Sequence, residues 1–365
     1  MYKLRIARLR DLLKRQRLDA LLVTVPANRR YLSGFRASDG QLGETSGALL
    51  ISPGDALLLT DFRYELSARA QAPLFTTHIY RRGLPQGLAE VLKGSRIKRL
   101  GYEAEGLLVL QRDRLELALK GVELVPTQGL VAELRRIKDS AELAAIRRSL
   151  ALMEGVLAGY LEGDFIGRSE RELALETMRR VEDAGAEGPA FDPIVAAGPN
   201  GAEPHAEPGD TLVEPGQPVI MDLGARLDGY ASDITRTVLA GGIQHLDPTF
   251  REVYPVVRRA QLEAMARIRP GMTGAQADAI AREVIDQAGY GRRFGHSLGH
   301  GVGLDTHEDP SLGPGSDQVL EPGMVFTIEP GIYLPGWGGV RLEQMVVLEP
   351  GGCRLLNGLN GFYEF

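Results

Sequence analysis

Residues 218–238 constrain the fold more than any other stretch of this chain. Pro218-Val219-Ile220-Met221-Asp222-Leu223-Gly224 and Tyr230 to Val238 are two apolar-rich runs joined at Asp228-Gly229. That dipeptide favours a tight two-residue turn, so the segment reads as a β-hairpin. With Asp228 and Gly229 at the turn, residue 222 lies opposite residue 235, and Asp233 is the diagonal neighbour of Asp222 on the same face. An acid in a strand is ordinarily a solvated edge residue or a turn former. Here Val219, Ile220, Met221 and Leu223 argue for a buried strand, where an unpaired aspartate is costly. Two adjacent carboxylates repel, and one pKa rises, unless a cation sits between them.

A second pair of acids has the same character. Met324-Val325-Phe326-Thr327-Ile328-Glu329 is an apolar strand ending in Glu-Pro-Gly, and Val340-Arg341-Leu342-Glu343-Gln344-Met345-Val346-Val347 reads as another strand. Alternation along that strand would put Arg341 and Glu343 on one face. An exposed charged edge would explain those two residues, but not a glutamate after five mostly apolar ones. The six histidines are unevenly spread: His296, His300 and His307 crowd into the glycine-rich run Phe294 to Glu308, whereas His78, His205 and His245 stand apart. Glycines let a substrate approach the backbone closely, so histidines among them line a site more often than a core. Asp222, Asp233, His300, Glu329 and Glu343 form a set able to hold two divalent cations side by side, with water between them. One motif is a decoy. Gly295-His296-Ser297-Leu298-Gly299 satisfies the serine-hydrolase elbow, but a helical pattern precedes it and glycines follow it, the reverse of what that elbow needs.

A chain of 365 residues exceeds what one core usually serves, so two domains are expected. Residues 3–16 have helical spacing, and Leu18 to Val25, Gly47 to Ser52 and Ala56 to Thr60 read as strands. Helix and strand patterns alternate to Val125, which makes residues 1–130 an α/β domain. Leu130 to Tyr160 is one long amphipathic pattern. Helices over about 169–184, 249–268 and 275–288 then mix with the acid-bearing antiparallel strands, so residues 131–365 form an α+β domain. The net charge of −6 gives no reason to invoke nucleic acid, and no apolar run approaches the length of a membrane span. A single cysteine, Cys353, excludes an internal disulfide and fits a reducing compartment. With no apolar signal core among the first ten residues, a cytoplasmic protein is expected.

These motifs resemble the pita-bread metallopeptidases of the proline-peptidase branch, which comprises Xaa-Pro dipeptidases (prolidases) and Xaa-Pro aminopeptidases. The resemblance rests on Phe191 to Val195 with Gly198 to His205, on Met221 to Gly224, on Gly229 to Thr237, on Gly299 to Gly303 through His307-Glu308, on Thr327 to Tyr333 and on Gly339 to Glu343. It extends more loosely through Asn28 to Phe35 and Leu59 to Tyr64, and so covers nearly the whole chain. It implies a creatinase/prolidase-like N-terminal domain followed by a pita-bread catalytic domain, and two divalent metal ions, manganese first, with cobalt, zinc or iron as alternatives. Asp222 would bind one ion, His300 and Glu329 the other, and Asp233 and Glu343 would bridge both. A water between the ions would be the nucleophile.

By the same resemblance, His205 would meet the substrate near the scissile bond and His307 would support the scissile carbonyl. His296, Tyr333 and Arg341 would face or support the proline end of the substrate. The implied substrates are small peptides with proline in second position, and the implied assembly is a homodimer. Two positions depart from the family pattern. Gln344 follows the bridging glutamate where many relatives carry an acid. Ser311 stands where some prolidases carry an arginine that clamps the dipeptide carboxylate. The alternatives are an Xaa-Pro aminopeptidase, a metal-free creatinase-like enzyme and a non-catalytic binding module. Retention of all five ligands separates the metallopeptidase from the last two.

Overall fold

Short polar side chains set where the longer helices begin. Asp139, Ser169, Asp247 and Thr273 each accept a backbone N–H of the first helical turn, and Glu142, Glu172 and Gln276 reach back to the Asp139, Ser169 and Thr273 amides. These reciprocal bonds satisfy donors that a helix start otherwise leaves open. The computed structural model describes residues 1–365 apart from Leu42 and Gly163. It divides the chain into two units, Met1–Arg135 and Arg136–Phe365.

The first unit runs α1 (Tyr2–Arg15), β1 (Ala20–Val23), α2 (Pro26–Ser33), β2 (Ala48–Ile51), β3 (Ala56–Thr60), α3 (Glu65–Gln71), β4 (Thr76–Ile79), α4 (Leu84–Leu92), β5 (Arg99–Glu103), α5 (Val109–Ala118) and β6 (Glu123–Thr127), then α6 (Leu130–Arg136). Its sheet has the order β4-β3-β2-β1-β5-β6. The β1–β2 and β2–β3 pairs are antiparallel and the rest parallel. The first strands are apolar at every position, as a sheet covered on both faces requires.

The second unit holds α7 (Ser140–Ala158), α8 (Glu170–Asp183), β7 (Gly188–Pro189), β8 (Ile194–Ala197), β9 (Pro218–Leu223), β10 (Ala225–Leu227), β11 (Tyr230–Ala231), β12 (Ile234–Leu239), α9 (Pro248–Arg267), α10 (Gly274–Gln287), β13 (Gly299–Gly301), β14 (Glu308–Leu312), β15 (Val325–Ile328), β16 (Gly331–Leu334), β17 (Gly338–Arg341), β18 (Gln344–Glu349) and β19 (Gly352–Leu355). The acids and the imidazole expected to bind metal lie on or beside two of its sheets, β12-β9-β8 and β14-β13-β15-β18-β19. Helices α7 and α8 pack with the three-stranded sheet around Met153, Leu157, Leu173 and Met221. Helices α9 and α10 pack around Tyr254, Val257, Ile285 and Phe326. Among the described residues, no helix is long and apolar enough to cross a membrane.

The expected hairpin is present in the expected register. Thr235 lies opposite Asp222, and Leu227 opposite Tyr230. Asp228 and Gly229 carry φ of 51° and 81°, the left-handed pair of a tight hairpin turn, which Asp-Gly tolerates best. Two expectations need correction. The amphipathic pattern from Leu130 to Tyr160 is two helices, not one. Asp139 caps α7, Ile137 bridges to Met324, and Lys138 N–H bonds the Gly323 carbonyl, so the chain is extended between α6 and α7. The run Val340 to Val347 is likewise two strands. Its first half pairs with β16 and its second with β15. At the break, the Leu342 and Glu343 amides donate to the Pro330 and Thr235 carbonyls, so Glu343 lies between strands rather than on one.

Candidate metal centre

Each of the five expected ligands sits at a strand or strand end. Asp222 is on β9, Asp233 just before β12, His300 on β13, Glu329 just after β15 and Glu343 between β17 and β18. Ligand atoms of Asp233, His300 and Glu343 all lie within 4.8 Å of one another. His300 Nε2 is 3.2 Å from Glu329 Oε1 and 3.6 Å from Asp233 Oδ2.

The surrounding bonds orient these groups. His300 Nδ1 is 3.1 Å from the Gly301 carbonyl. A carbonyl only accepts, so Nδ1 carries a hydrogen and Nε2 is the nitrogen that faces the carboxylates, left to give up its proton when a cation binds. Thr327 Oγ1 donates to Glu329 Oε1 at 2.9 Å and accepts from the His300 amide at 3.1 Å. Thr235 Oγ1 donates to Glu343 Oε2 at 2.8 Å, and the buried Arg236 donates to the Glu343 carbonyl at 2.7 Å. Arg341 Nη2 donates to Asp222 Oδ2 at 2.6 Å. The other oxygen, Asp222 Oδ1, is buried with no hydrogen-bond partner among the described residues.

Electrostatically the cluster is unbalanced. Burial, followed by the charges of Glu343 and Asp222, holds the Asp233 carboxyl well above the usual carboxylate range. Burial, with Glu329 and Asp222, does the same to Glu343. Burial opposes charge on Glu329 too, but the His300 hydrogen bond and charge outweigh it and lower that pKa to about 2. Burial also opposes a charge on His300, and Glu329 and Glu343 outweigh it, raising the imidazole to about 9. Crowded buried acids, an unpartnered aspartate oxygen and an imidazole nitrogen aimed among them are what a divalent cation site requires. The residues present fit a divalent cation.

A cavity of about 500 Å³ opens over the cluster. All five ligands line it, as do His205, His296, His307 and Arg341; Tyr333 does not. His205 and His307 are exposed to the cavity, and the His307 ring lies 4.2 Å from that of His300, centre to centre. Burial, then the neighbouring His300 charge, lowers the His307 pKa, which favours its neutral imidazole. Burial likewise lowers His296. Its Nδ1 is 2.8 Å from the Ser297 carbonyl and therefore donates, leaving Nε2 to accept from the Tyr333 hydroxyl at 2.8 Å. The same hydroxyl accepts from Arg341 Nη1 at 2.9 Å, and that nitrogen also donates to the Pro204 carbonyl at 3.1 Å. Arg341 on the wall and Tyr333 behind it thus join Asp222 to His296.

Several supporting residues escaped the sequence reading. Thr235 and Thr327 sit two residues from a ligand on an alternating strand, a spacing that could have marked them. Arg236 carried no such signal. Nor did Asp278 and Arg282 on α10, which bond the Leu298 amide and the Phe294 and His296 carbonyls and so hold the loop that carries His296. Ser297 lies in that loop, between α10 and a strand, and no nucleophile elbow is formed.

Residues 136–350 match metallopeptidase family M24, and residues 5–137 match the creatinase/prolidase N-terminal domain. The chain is 35% identical to an Xaa-Pro dipeptidase of Pyrococcus furiosus over 97% of each sequence. Among solved structures, an Xaa-Pro dipeptidase from Bacillus anthracis superposes with a TM-score of 0.92 at 36% identity, covering 99% of this chain and 98% of that one. An X-Pro aminopeptidase from Thermotoga maritima superposes with a TM-score of 0.86 at 34% identity, covering 96% and 98%.

Proposed function

The chain belongs to metallopeptidase family M24, and on that premise we propose that it hydrolyses the peptide bond preceding proline, above all in Xaa-Pro dipeptides. Its fold is a creatinase/prolidase-type α/β domain followed by a pita-bread catalytic domain. The observation that carries the reading is the convergence of four carboxylates and one imidazole on a single cavity. Asp222 would hold one divalent ion, His300 and Glu329 the other, and Asp233 and Glu343 would serve both. When bound, two such ions lower the pKa of a water between them and polarise the scissile carbonyl. A donor set dominated by carboxylates suits manganese.

The remaining residues orient the substrate and handle charge. Neutral His307 offers one N–H to the scissile carbonyl as its oxygen gains charge. His205 meets the substrate near the scissile bond, where the departing proline nitrogen needs a proton. Arg341 holds Asp222 Oδ2 and leaves Oδ1 for a cation, while Tyr333 keeps His296 in one tautomer beside the proline end. An Xaa-Pro bond has no N–H of its own, so the site recognises ring shape and carbonyl instead.

One observation favours the second reading, an Xaa-Pro aminopeptidase. Among the described residues, Arg341 is the one Lys or Arg on the cavity wall, and it is engaged with Asp222, while Ser311 faces the cavity where a carboxylate-clamping arginine would serve a dipeptidase. A cation supplied by a neighbouring subunit would complete the dipeptidase, and we propose a homodimer on that ground. The single cysteine is consistent with work in the cytoplasm. Metal analysis of the purified protein, with hydrolysis of Ala-Pro compared with Ala-Pro-Ala, tests the reading. Two ions per chain and preference for Ala-Pro are expected. Preference for the tripeptide would make it an aminopeptidase, and a metal-free active enzyme would overturn it.

A further inference from the structure

His307 lies at the end of a six-residue turn, 302–307, between β13 and β14, and that turn is unusually well tied. The Gly303 amide donates to the Asp305 carbonyl at 3.0 Å, the Gly303 carbonyl accepts from Ala231 at 2.8 Å, and Thr306 Oγ1 donates to the Ala190 carbonyl at 3.2 Å. Inside it lies the carboxylate of Glu308, which a Cβ on Gly303 would overlap. That carboxylate forms an ion pair with Lys138 Nζ at 2.7 Å, the Lys138 and Glu308 side chains being 1% and 9% exposed. Lys138 is itself anchored, since its amide donates to the Gly323 carbonyl and Ile137 bridges to Met324.

A buried ion pair adds little net stability, because desolvation opposes the attraction; its best-attested use is to fix one arrangement over others. Here the arrangement is that of the residue before Glu308. We propose that Lys138 is a positioning residue for His307: through Glu308 it fixes the turn so that the His307 imidazole stands 4.2 Å from His300 over the metal centre. This rests on the peptidase reading for its effect on rate, but not for its geometry. A flexible turn would let His307 sample positions from which its N–H misses the carbonyl, and misplacement of that kind lowers kcat more than binding.

The test uses the zinc-loaded enzyme with 13Cε1-labelled histidine, the His307 signal being assigned by its loss in His307→Ala. Lys138→Met is expected to keep two ions per chain, to move the His307 signal but not that of His205, and to lower kcat for Ala-Pro about 10- to 100-fold with little change in KM. Lys138→Arg should restore most of the rate. In a His307→Ala background the same Lys138→Met change should cost less than about twofold, since residues acting as a unit are not additive. Glu308→Gln, which keeps the volume, should reproduce the pattern if Lys138→Met folds poorly. An unmoved His307 signal, loss of metal in step with rate, or a full additional loss in the His307→Ala background would overturn the proposal. Full activity of His307→Ala would instead remove the catalytic role of His307, and the ring signal would still decide whether Lys138 holds it.

Discussion

The two halves of the metal centre meet their charge problem differently. At one end Glu329 and His300 neutralise each other at 3.2 Å, so the acid is held at about 2 and the imidazole raised to about 9. At the other end burial and mutual repulsion outweigh the nearby Arg341 and His300, and hold Asp233 and Glu343 well above the usual carboxylate range. The first half balances its own charges; the second has an excess of acid that a divalent ion would offset. Metal binding is therefore expected to release protons, and the affinity should rise with pH until His300 has lost its own.

The hardest test of this asymmetry is removal of a shared acid. Asp233→Asn should reduce peptidase activity by about 10³-fold or more and empty at least one metal position, yet the metal-free protein should unfold at a higher temperature, because an acid whose ionisation is opposed by burial and by its neighbours is gone. Metal analysis and thermal unfolding with and without chelator check both halves, and an Asp233→Asn enzyme with full metal and normal turnover would break the comparison. A smaller loss is expected away from the ligand set. His205→Ala and His307→Ala should each keep two ions per chain but turn over about 10²-fold more slowly; if His205→Ala empties the site, the division between ligands and substrate-facing histidines is wrong.

Smaller again are the orienting hydroxyls. Thr235→Val and Thr327→Val remove donors to Glu343 and Glu329 and should weaken metal binding by about tenfold, with the Thr235 change costing more because Glu343 is expected to serve both ions. Calorimetric titration of manganese compares the two. The mildest effect is the pH dependence of the metal-free protein. His300 has a folded pKa of about 9 against an ordinary 6.5, so its pairing stabilises fully below pH 6.5 and is lost as pH rises through 9. Glu329, lowered to about 2 from 4.5, stabilises above pH 4.5 and is lost as pH falls through 2. Asp233 and Glu343, raised, cost stability as pH climbs above the ordinary carboxylate range. Thermal unfolding with chelator should accordingly decline between pH 6.5 and 9, and added metal should abolish the decline. A flat profile would leave the asymmetry without support.

What was legible beforehand follows from what is local. The pairing of residue 222 with 235 could be counted from Asp228-Gly229, because a two-residue turn and a side-chain period of two leave one register. The starts of α8, α9 and α10 fell within about two residues of their caps for the same reason. The five ligands were legible as a set because their spacing and neighbours are specific. The break at Leu342–Glu343 was not, since nothing in Val340 to Val347 says that its two halves pair with different strands. Nor was the break between α6 and α7, where Asp139 outcompetes a continuous amphipathic pattern.

By itself, then, the sequence determined the hairpin, the approximate helix starts and the inventory of metal-binding side chains, since each is read from residues and their near neighbours. Only the tertiary structure decided that Arg341 holds Asp222, that Tyr333 stands behind the cavity wall rather than on it, and that Lys138 reaches the turn before Glu308. Those choices join residues 119, 37 and 170 positions apart for Arg341 with Asp222, Tyr333 with His296 and Lys138 with Glu308. A long buried side chain takes whichever acceptor the packed core leaves within reach, and that acceptor exists only once the strands have met.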